Sequence, residues 1–523
     1  MALRINFNYE AAVTHTALRQ NERLMNKSLL RLSTGLRILN AADDSAGLFI
    51  ADQLALVSAG LEQGNRNIQT GISALQIAEN SAGQIYSKLK EIYVKAENAA
   101  NDINDPNARA ALQREINSFV DAIDKIARDT EYNGIKLLDG TFTNKYIHYG
   151  PRSGQSINIS ISSLRASSLG SYTMDVTGDT TASATADLTA VDNNYTYDAA
   201  TDSITVTIGG DTIVLNTESQ MSVRPYSGAS PVLDASVIAK TINENSTAQQ
   251  HGLRATASNT ETAGADFGAG LASFGGDGTE NVRVVIYVGD SKVFDKTYDA
   301  ATNPNLDQFI DDINASSLNT SGLLQASKDA GGTKLVLTSA NGETISVEVT
   351  VTDTDTTTTT TVDLNKIIDA GGATTINGSA AGTTGHGVAV GELTLASIEG
   401  FSVTTAGTLG ALTFGALQFE SLNNIDVSSN TGAEKALLII DGAIKRVDTV
   451  RSQIGAVMNN LQSIYDAQKV AKDNTDEAES VIRNVDFAKE MATFTTMQIR
   501  MQSGIAMLAQ ANTLPQLVLQ LLR

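Results

Sequence analysis

The chain has 523 residues, a formal net charge of −21, no cysteine, no tryptophan and four histidines, His15, His148, His251 and His386. That length predicts three or four domains. The absent cysteines exclude disulfides, thiolate zinc sites and cysteine nucleophiles, and the acidic balance argues against wholesale nucleic-acid binding. No apolar run reaches the ~18 residues of a membrane span, and residues 1–40 are amphipathic rather than a cleavable secretory signal. By these marks alone the chain reads as soluble and cytoplasmic.

Residues 1–40 carry six bases against two acids, with Leu18, Met25, Leu29, Leu32, Leu36 and Leu39 in a heptad seam. They predict a basic amphipathic helix with a partner-binding or oligomerisation face. The stretch AADDSAG at 41–47 interrupts the seam, and Asp43, Asp44 and Ser45 are good caps for a following helix. Along residues 50–92, Ile50, Leu54, Val57, Leu61, Gly64, Ile68, Gly71, Leu75, Ala78, Ala82, Ile85, Leu89 and Ile92 recur in alternating steps of three and four. This predicts a long helix with one narrow apolar seam that buries against other helices, its glycines admitting a close backbone. A third helix is expected to begin at Asp105-Pro106. Asn133-Gly134 and Asp139-Gly140 then bracket a short hairpin.

From about residue 146 to residue 420 the composition turns to Thr, Ser, Gly, Ala and Asp with period-two runs. A weak repeat is visible there. Residues 204–215, 237–243 and 253–258 read as hairpin, helix and strand. Residues 283–298, 306–314 and 324–327 repeat that order, a hairpin is expected in 334–349, and 392–403 echoes part of it. The threonine run 356–361 is expected to be an exposed linker.

Helical periodicity returns at Ile440, Ala443, Val447, Val450, Ile454, Val457, Leu461, Ile464 and Ala471. The acidic run KDNTDEAE at 472–479 reads as a second interruption. Phe487, Met491, Phe494, Met501, Ile505 and Leu508 are then expected on one seam, which Pro515 ends. The two ends mirror each other, so the simplest fold pairs them. The expected class is a multidomain α + β protein, with terminal coiled-coil rods made by paired N- and C-terminal segments around inserted β-rich outer domains. Leu54, Leu61, Ile68, Leu75, Val447, Ile454 and Leu461 are its expected rod core.

The blocks MALRIN (1–6), SLLRLSTGLRI (28–38), AADDSAGLFIADQL (41–54), NGIKLLDG (133–140), VDTVRSQIGAVMNNLQ (447–462) and AMLAQANTLPQLVLQLLR (506–523) resemble those of the bacterial flagellins. The resemblance implies a filament subunit with arms at 1–42 and 479–523 forming an inner tube. It implies rod segments at 43–164 and 420–478, and variable outer modules at 165–419. The packing residues of the arms would be Leu18, Met25, Leu29, Leu32, Leu36, Phe487, Met491, Phe494, Met501, Ile505 and Leu508. Implied partners are further copies of the chain, an export chaperone on the C-terminal arm, flagellar cap and hook-associated proteins, and the flagellar type III export apparatus. The implied location is outside the cell, without a cleaved signal. In the segment 86–95 by which many flagellins meet an innate-immune receptor, Lys88 replaces a frequent arginine and Tyr93 a usual alanine, which counts against that contact.

No His-Glu-x-x-His, G-x-x-x-x-G-K-[ST] or G-x-S-x-G motif is present, so no catalytic site or cofactor is expected. The acidic runs at 353–355 and 473–479 read as solvated turns rather than cation sites. The hydroxyl-rich middle is compatible with O-glycosylation. The competing functions are a hook-filament junction protein with similar terminal helices and a secreted enzyme or adhesin built on the same scaffold.

Overall fold

The computed structural model describes residues 8–101, 104–184, 195–225, 229–275, 278, 280–354, 359–369, 371, 374–407 and 409–521. In chain order the described helices are α1 (Tyr9–Thr34), α2 (Ser45–Ala99), α3 (Pro106–Asp129), α4 (Glu218–Met221), α5 (Ala235–Glu244), α6 (Ser246–Gln250), α7 (Leu306–Asn314), α8 (Asn430–Arg483) and α9 (Phe487–Leu521). The chain divides into two compact units. One contains residues 1–76, 143–160 and 454–523, and the other 77–142 and 161–453, so α2 and α8 each run from one unit into the other.

In the first unit, α1 starts where the Asn8 side chain accepts from the Ala11 amide and ends at Gly35, whose left-handed φ of 73° closes the last turn. Leu36 therefore lies beyond the helix, in an isolated bridge with Asn484. Asp44 caps α2 by accepting from the Gly47 amide. The 45–76 part of α2 and the 454–483 part of α8 run antiparallel, because Ser58 bonds to Asp476 and Gln69 to Tyr465. Leu61, Ile68, Leu75, Ile454 and Leu461 are buried there, and Leu54 is half-buried.

Three sequence expectations change here. The run 472–479 does not interrupt α8. Lys472, Asp476 and Glu479 are held by Lys472–Asp476 and Arg483–Glu479 pairs spaced four apart and by the Ser58–Asp476 bond, so the helix continues and the break falls at 484–486 instead. The glycines of α2 also admit something other than a helix. The hairpin Lys145–His148/Ser156–Ile159 and its loop lie against Gly60, Gly64 and Gly71, with Asn67 Nδ2 donating to the His148 carbonyl at 2.9 Å. Pro515 does not end α9, which continues to Leu521.

In the second unit, the 77–99 part of α2, α3 and the start of α8 bury Ile85, Leu89, Ile92, Ile116, Ile123, Ile440 and Val447. The Asn133-Gly134 hairpin forms with φ of 50° and 76° at its corners, the two-residue turn whose twist matches that of strands.

The repeat in the middle is a nested one. The outer copy is the hairpin Ser203–Ile208/Asp211–Leu215, then α5, then strand Arg254–Thr262. It is completed by Glu392–Ser397, which pairs with Arg254–Thr262, and Phe401–Ala406, which pairs with Ser203–Ile208. The inner copy is the hairpin Asn281–Val288/Ser291–Tyr298, then α7, then Leu324–Lys328. It is completed in the same way by Leu335–Ser339 and Ile345–Thr352. In each copy an asparagine at the end of the helix clamps the next strand through two bonds. Asn243 does so with the Ala255 amide and carbonyl (2.9 and 2.7 Å), and Asn314 with those of Ala326 (2.8 and 2.9 Å).

Residues 334–349 are accordingly not a hairpin. Their two strands join different sheets, because each pairs with an earlier strand of its own copy. The hydrophobic cores follow the nesting. Ile204, Val206, Ile238, Ile242, Leu393 and Leu395 serve the outer copy. Val282, Val284, Phe309, Ile313, Val347 and Val349 serve the inner one. Of the threonine run, Thr356–Thr358 lie outside the described residues, whereas Thr360 is fully buried and Thr361 opens a strand, so this end is not an exposed linker.

Candidate assembly surfaces

The first unit places α1 and α9 side by side and antiparallel. Asn8 Nδ2 donates to the Ala511 carbonyl at 2.9 Å, Leu18 reaches Gly504, and Ser28 donates to Glu490 at 2.5 Å. Arg31 comes within 3.9 Å of the same carboxylate. Where the two helices meet AADDSAG and the 484–486 break, the main chains bond directly. The Val485 amide donates to the Gly35 carbonyl and the Arg37 amide to the Arg483 carbonyl, while the Arg37 guanidinium grips the Ile482 carbonyl at 2.6 Å. The bend is pinned from the other side by Asp43, which accepts from the Leu39 amide and pairs with Lys27 at 2.6 Å. The bonded Lys27 holds the Asp43 carboxyl below the usual carboxylate range.

Of the residues expected on the arms, Leu18, Met25, Leu32, Leu36, Phe494, Met501 and Leu508 are half-buried, whereas Leu29, Phe487, Met491 and Ile505 are exposed. The six C-terminal positions are thus not all buried against α1. The face of α9 turned to α1 runs through Phe494, Met497, Met501, Gly504, Leu508 and Ala511. It was missed because Gly504 and Ala511 are small, and a seam sought among large side chains drifts around the helix. Burying small residues lets the two backbones approach, and leaves large apolar side chains exposed around the rest of the helix.

That exposed surface is extensive. Phe487, Met491, Ile499, Ile505 and Met507 on α9 are all more than half exposed, Met507 at 63%. On α1 so are Tyr9 (69%), Leu29 and Leu30. Apolar exposure on this scale marks an interaction surface rather than an ordinary exterior.

Other candidate features have intrachain roles. In the second unit Lys88 pairs with Glu91 at 2.8 Å and sits over Phe119, Tyr93 is half-buried, and Val447 is fully buried. Asp353 is buried and accepts from the Thr360 amide. Among the described residues no group of three or more His, Asp or Glu side chains is placed to hold a metal ion, and no helix is long and apolar enough to cross a membrane.

Paired helical ends with an unsatisfied apolar surface, flanking a β-rich insert in sequence, define an assembly subunit. Comparison with known proteins gives the family. A family model described as the bacterial flagellin N-terminal helical region matches residues 5–143, and one described as the C-terminal helical region matches 437–522. Over the full length of both chains the protein is 55% identical to a flagellin of Aquifex aeolicus and 50% to one of Aquifex pyrophilus. It is 32% identical, again over both full lengths, to the B-type flagellin of Pseudomonas aeruginosa. The chain belongs to the bacterial flagellins, a family of structural proteins, and is a subunit of the flagellar filament.

Proposed function

We propose that the exposed face of the α1/α9 pair is the surface through which copies of this chain join, residues 1–42 and 479–523 lining an inner tube and 43–164 with 420–478 an outer one. The observation that supports this most is α9 itself. Its small-residue face is occupied by α1, yet Phe487, Met491, Ile499, Ile505 and Met507 remain in water. Partners that bury them add roughly 1.5–3 kcal/mol per large side chain. The outer modules at 165–419 take no part in that joining and are free to vary.

The same face explains the further partners. A chain exposing it before assembly aggregates, so an export chaperone covers the C-terminal arm until the flagellar type III apparatus has passed the chain out without a cleaved signal. Cap and hook-associated proteins meet the arms at the filament's ends. No catalytic function is part of this reading.

The test mixes purified monomer with short fragments of its own filament and follows light scattering and electron microscopy, beside a chain lacking residues 484–523. Elongation by the full chain alone is expected. Equal elongation by the truncated chain would remove the C-terminal arm from the joining surface.

A further inference from the structure

His251 follows the five-residue helix α6, and both nitrogens of its ring face carboxylates. Nδ1 lies 3.1 Å from Glu399 Oε2, and Nε2 lies 3.1 Å from Asp211 Oδ2. A neutral imidazole has one N–H, so it leaves one ring lone pair pointing at a carboxylate. Only the imidazolium donates to both.

The three residues belong to three separate turns. Asp211 follows the Gly209-Gly210 tip of the outer copy's first hairpin, where a side chain on Gly209 would strike the His251 ring. Glu399 sits in the turn that joins Glu392–Ser397 to Phe401–Ala406. His251 itself leads into strand Arg254–Thr262, and its carbonyl accepts from Ser397 Oγ at 3.2 Å. The turn bearing Glu399 is also held by α8, through Arg446 Nη2 donating to the Ile398 carbonyl at 3.0 Å.

We propose that His251 is the pin of a protonation-controlled latch, which ties the tip of the Ser203–Leu215 hairpin to the 397–400 turn that α8 grips. The charged groups around it are few. Asp211 comes from the hairpin and Glu399 from the turn. From α8, Lys445 approaches Gly252 but is held by Asp441 at 2.7 Å, and Arg446 is spent on the Ile398 and Ser168 carbonyls. Neither cation competes for the two carboxylates.

The two bonded carboxylates, Asp211 first and Glu399 second, raise the pKa of His251 above its ordinary 6.5. A raised folded-state pKa gives a stabilisation fully present below the unfolded value and lost as pH rises through the folded one. The latch is therefore closed below the ordinary value of 6.5 and opens as pH rises through the raised one. Opening frees one end of the outer β module, at the place where α8 holds it.

The experiment uses the full-length monomer. The His251 Cε1 proton is titrated by NMR, and amide exchange at 209–211, 252 and 398–400 is compared between about pH 6 and about pH 9 after correction for intrinsic base catalysis. Wild type is expected to titrate above 6.5 and to lose protection at these amides several-fold over that range. The variant pair D211N/E399Q should lower the His251 pKa, and H251Q should remove the pH step while the other amides keep their protection. A His251 that titrates at or below 6.5 in the wild type, or an H251Q chain that keeps the same step, overturns the proposal.

Discussion

Replacing Gly64 with alanine should weaken the first unit, although the same change in an open helix strengthens it. A Cβ built on Gly64 would lie 1.9 Å from the Tyr149 carbonyl oxygen and 2.6 Å from its carbon. Ordinary contact needs about 3.5 Å, so the loop would have to retreat by about 1.5 Å. The obstacle is backbone and cannot swing aside as a side-chain end would. Overpacking of this kind costs about 1–3 kcal/mol. The retreat also strains the bond from Asn67 Nδ2 to the His148 carbonyl, worth about 0.5–1.5 kcal/mol net. Against these stands the gain of about 1 kcal/mol from removing a glycine inside a helix. The expected balance is a loss of about 1–3 kcal/mol. Gly455, with nothing within 4 Å of its built Cβ, is the control in the same unit, and Gly455→Ala should gain up to about 1 kcal/mol. Urea unfolding of the monomer, followed by circular dichroism, reads both, and tryptic cleavage after Arg152 reads release of the hairpin loop. A Gly64→Ala chain as stable as wild type and no more readily cleaved would show that the loop does not rest on α2 at that point.

Three other outcomes are expected. Ile68 is fully buried, so Ile68→Ala should lower unfolding stability by about 2–5 kcal/mol, measured as a shift of the urea midpoint. The depressed pKa of Asp43 means that its pairing contributes above the unfolded value of about 3.8 and is lost as pH falls through the folded one. Removing the Lys27 bond with Lys27→Gln should move the Asp43 carboxyl titration, read by NMR, up towards that ordinary value, and no movement would separate the two groups. Met507→Glu alters only an exposed side chain, so monomer stability should stay within about 0.5 kcal/mol while elongation of filament seeds is lost. Normal elongation would remove that face of α9 from the interface.

The helices were legible because burying one stripe imposes a period, and the period of α2 is kept over most of its length. What the pattern does not carry is the identity of the partner. Gly64 and Gly71 announce a close approach in α2, but a glycine stripe looks the same whether a helix or the 145–159 hairpin lies on it. The run 472–479 looks like a break because composition shows its charges and not the i,i+4 pairs and the Ser58 bond that hold Lys472, Asp476 and Glu479. The α9 seam was displaced because Gly504 and Ala511 are buried for closeness rather than for apolar area. In the middle, alternation located the strands of the two copies and their first hairpins, but not Gly170–Gly178 or Thr383–Ala389, and not the later pairings. Leu335–Ser339 and Ile345–Thr352 are neighbours in sequence, but each is hydrogen-bonded to an earlier strand, and only the symmetry between the two copies could have suggested it.

The nesting also explains how so large an insert is carried. The chain enters the outer region through Gly170–Gly178 and returns through Gln418–Ser421, and these strands are antiparallel partners, with Gly170 opposite Ser421. The inner copy enters and leaves in the same manner, after the pairing of Arg254–Ser258 with Glu392–Ala396. At both levels the two ends of the insert lie side by side, at the spacing of paired strands. What precedes such an insert therefore sees the same two chain ends whatever is built beyond them. The entropy of closing the intervening loop grows only with the logarithm of its length, about 0.6 kcal/mol for each doubling. An insert on a strand pair is therefore tolerated at almost any size, provided that it buries its own core, as each copy does around its own helix. The α1/α9 pair, in contrast, leaves large apolar side chains uncovered, and in the assembly proposed above its sequence has to suit the copies that cover them.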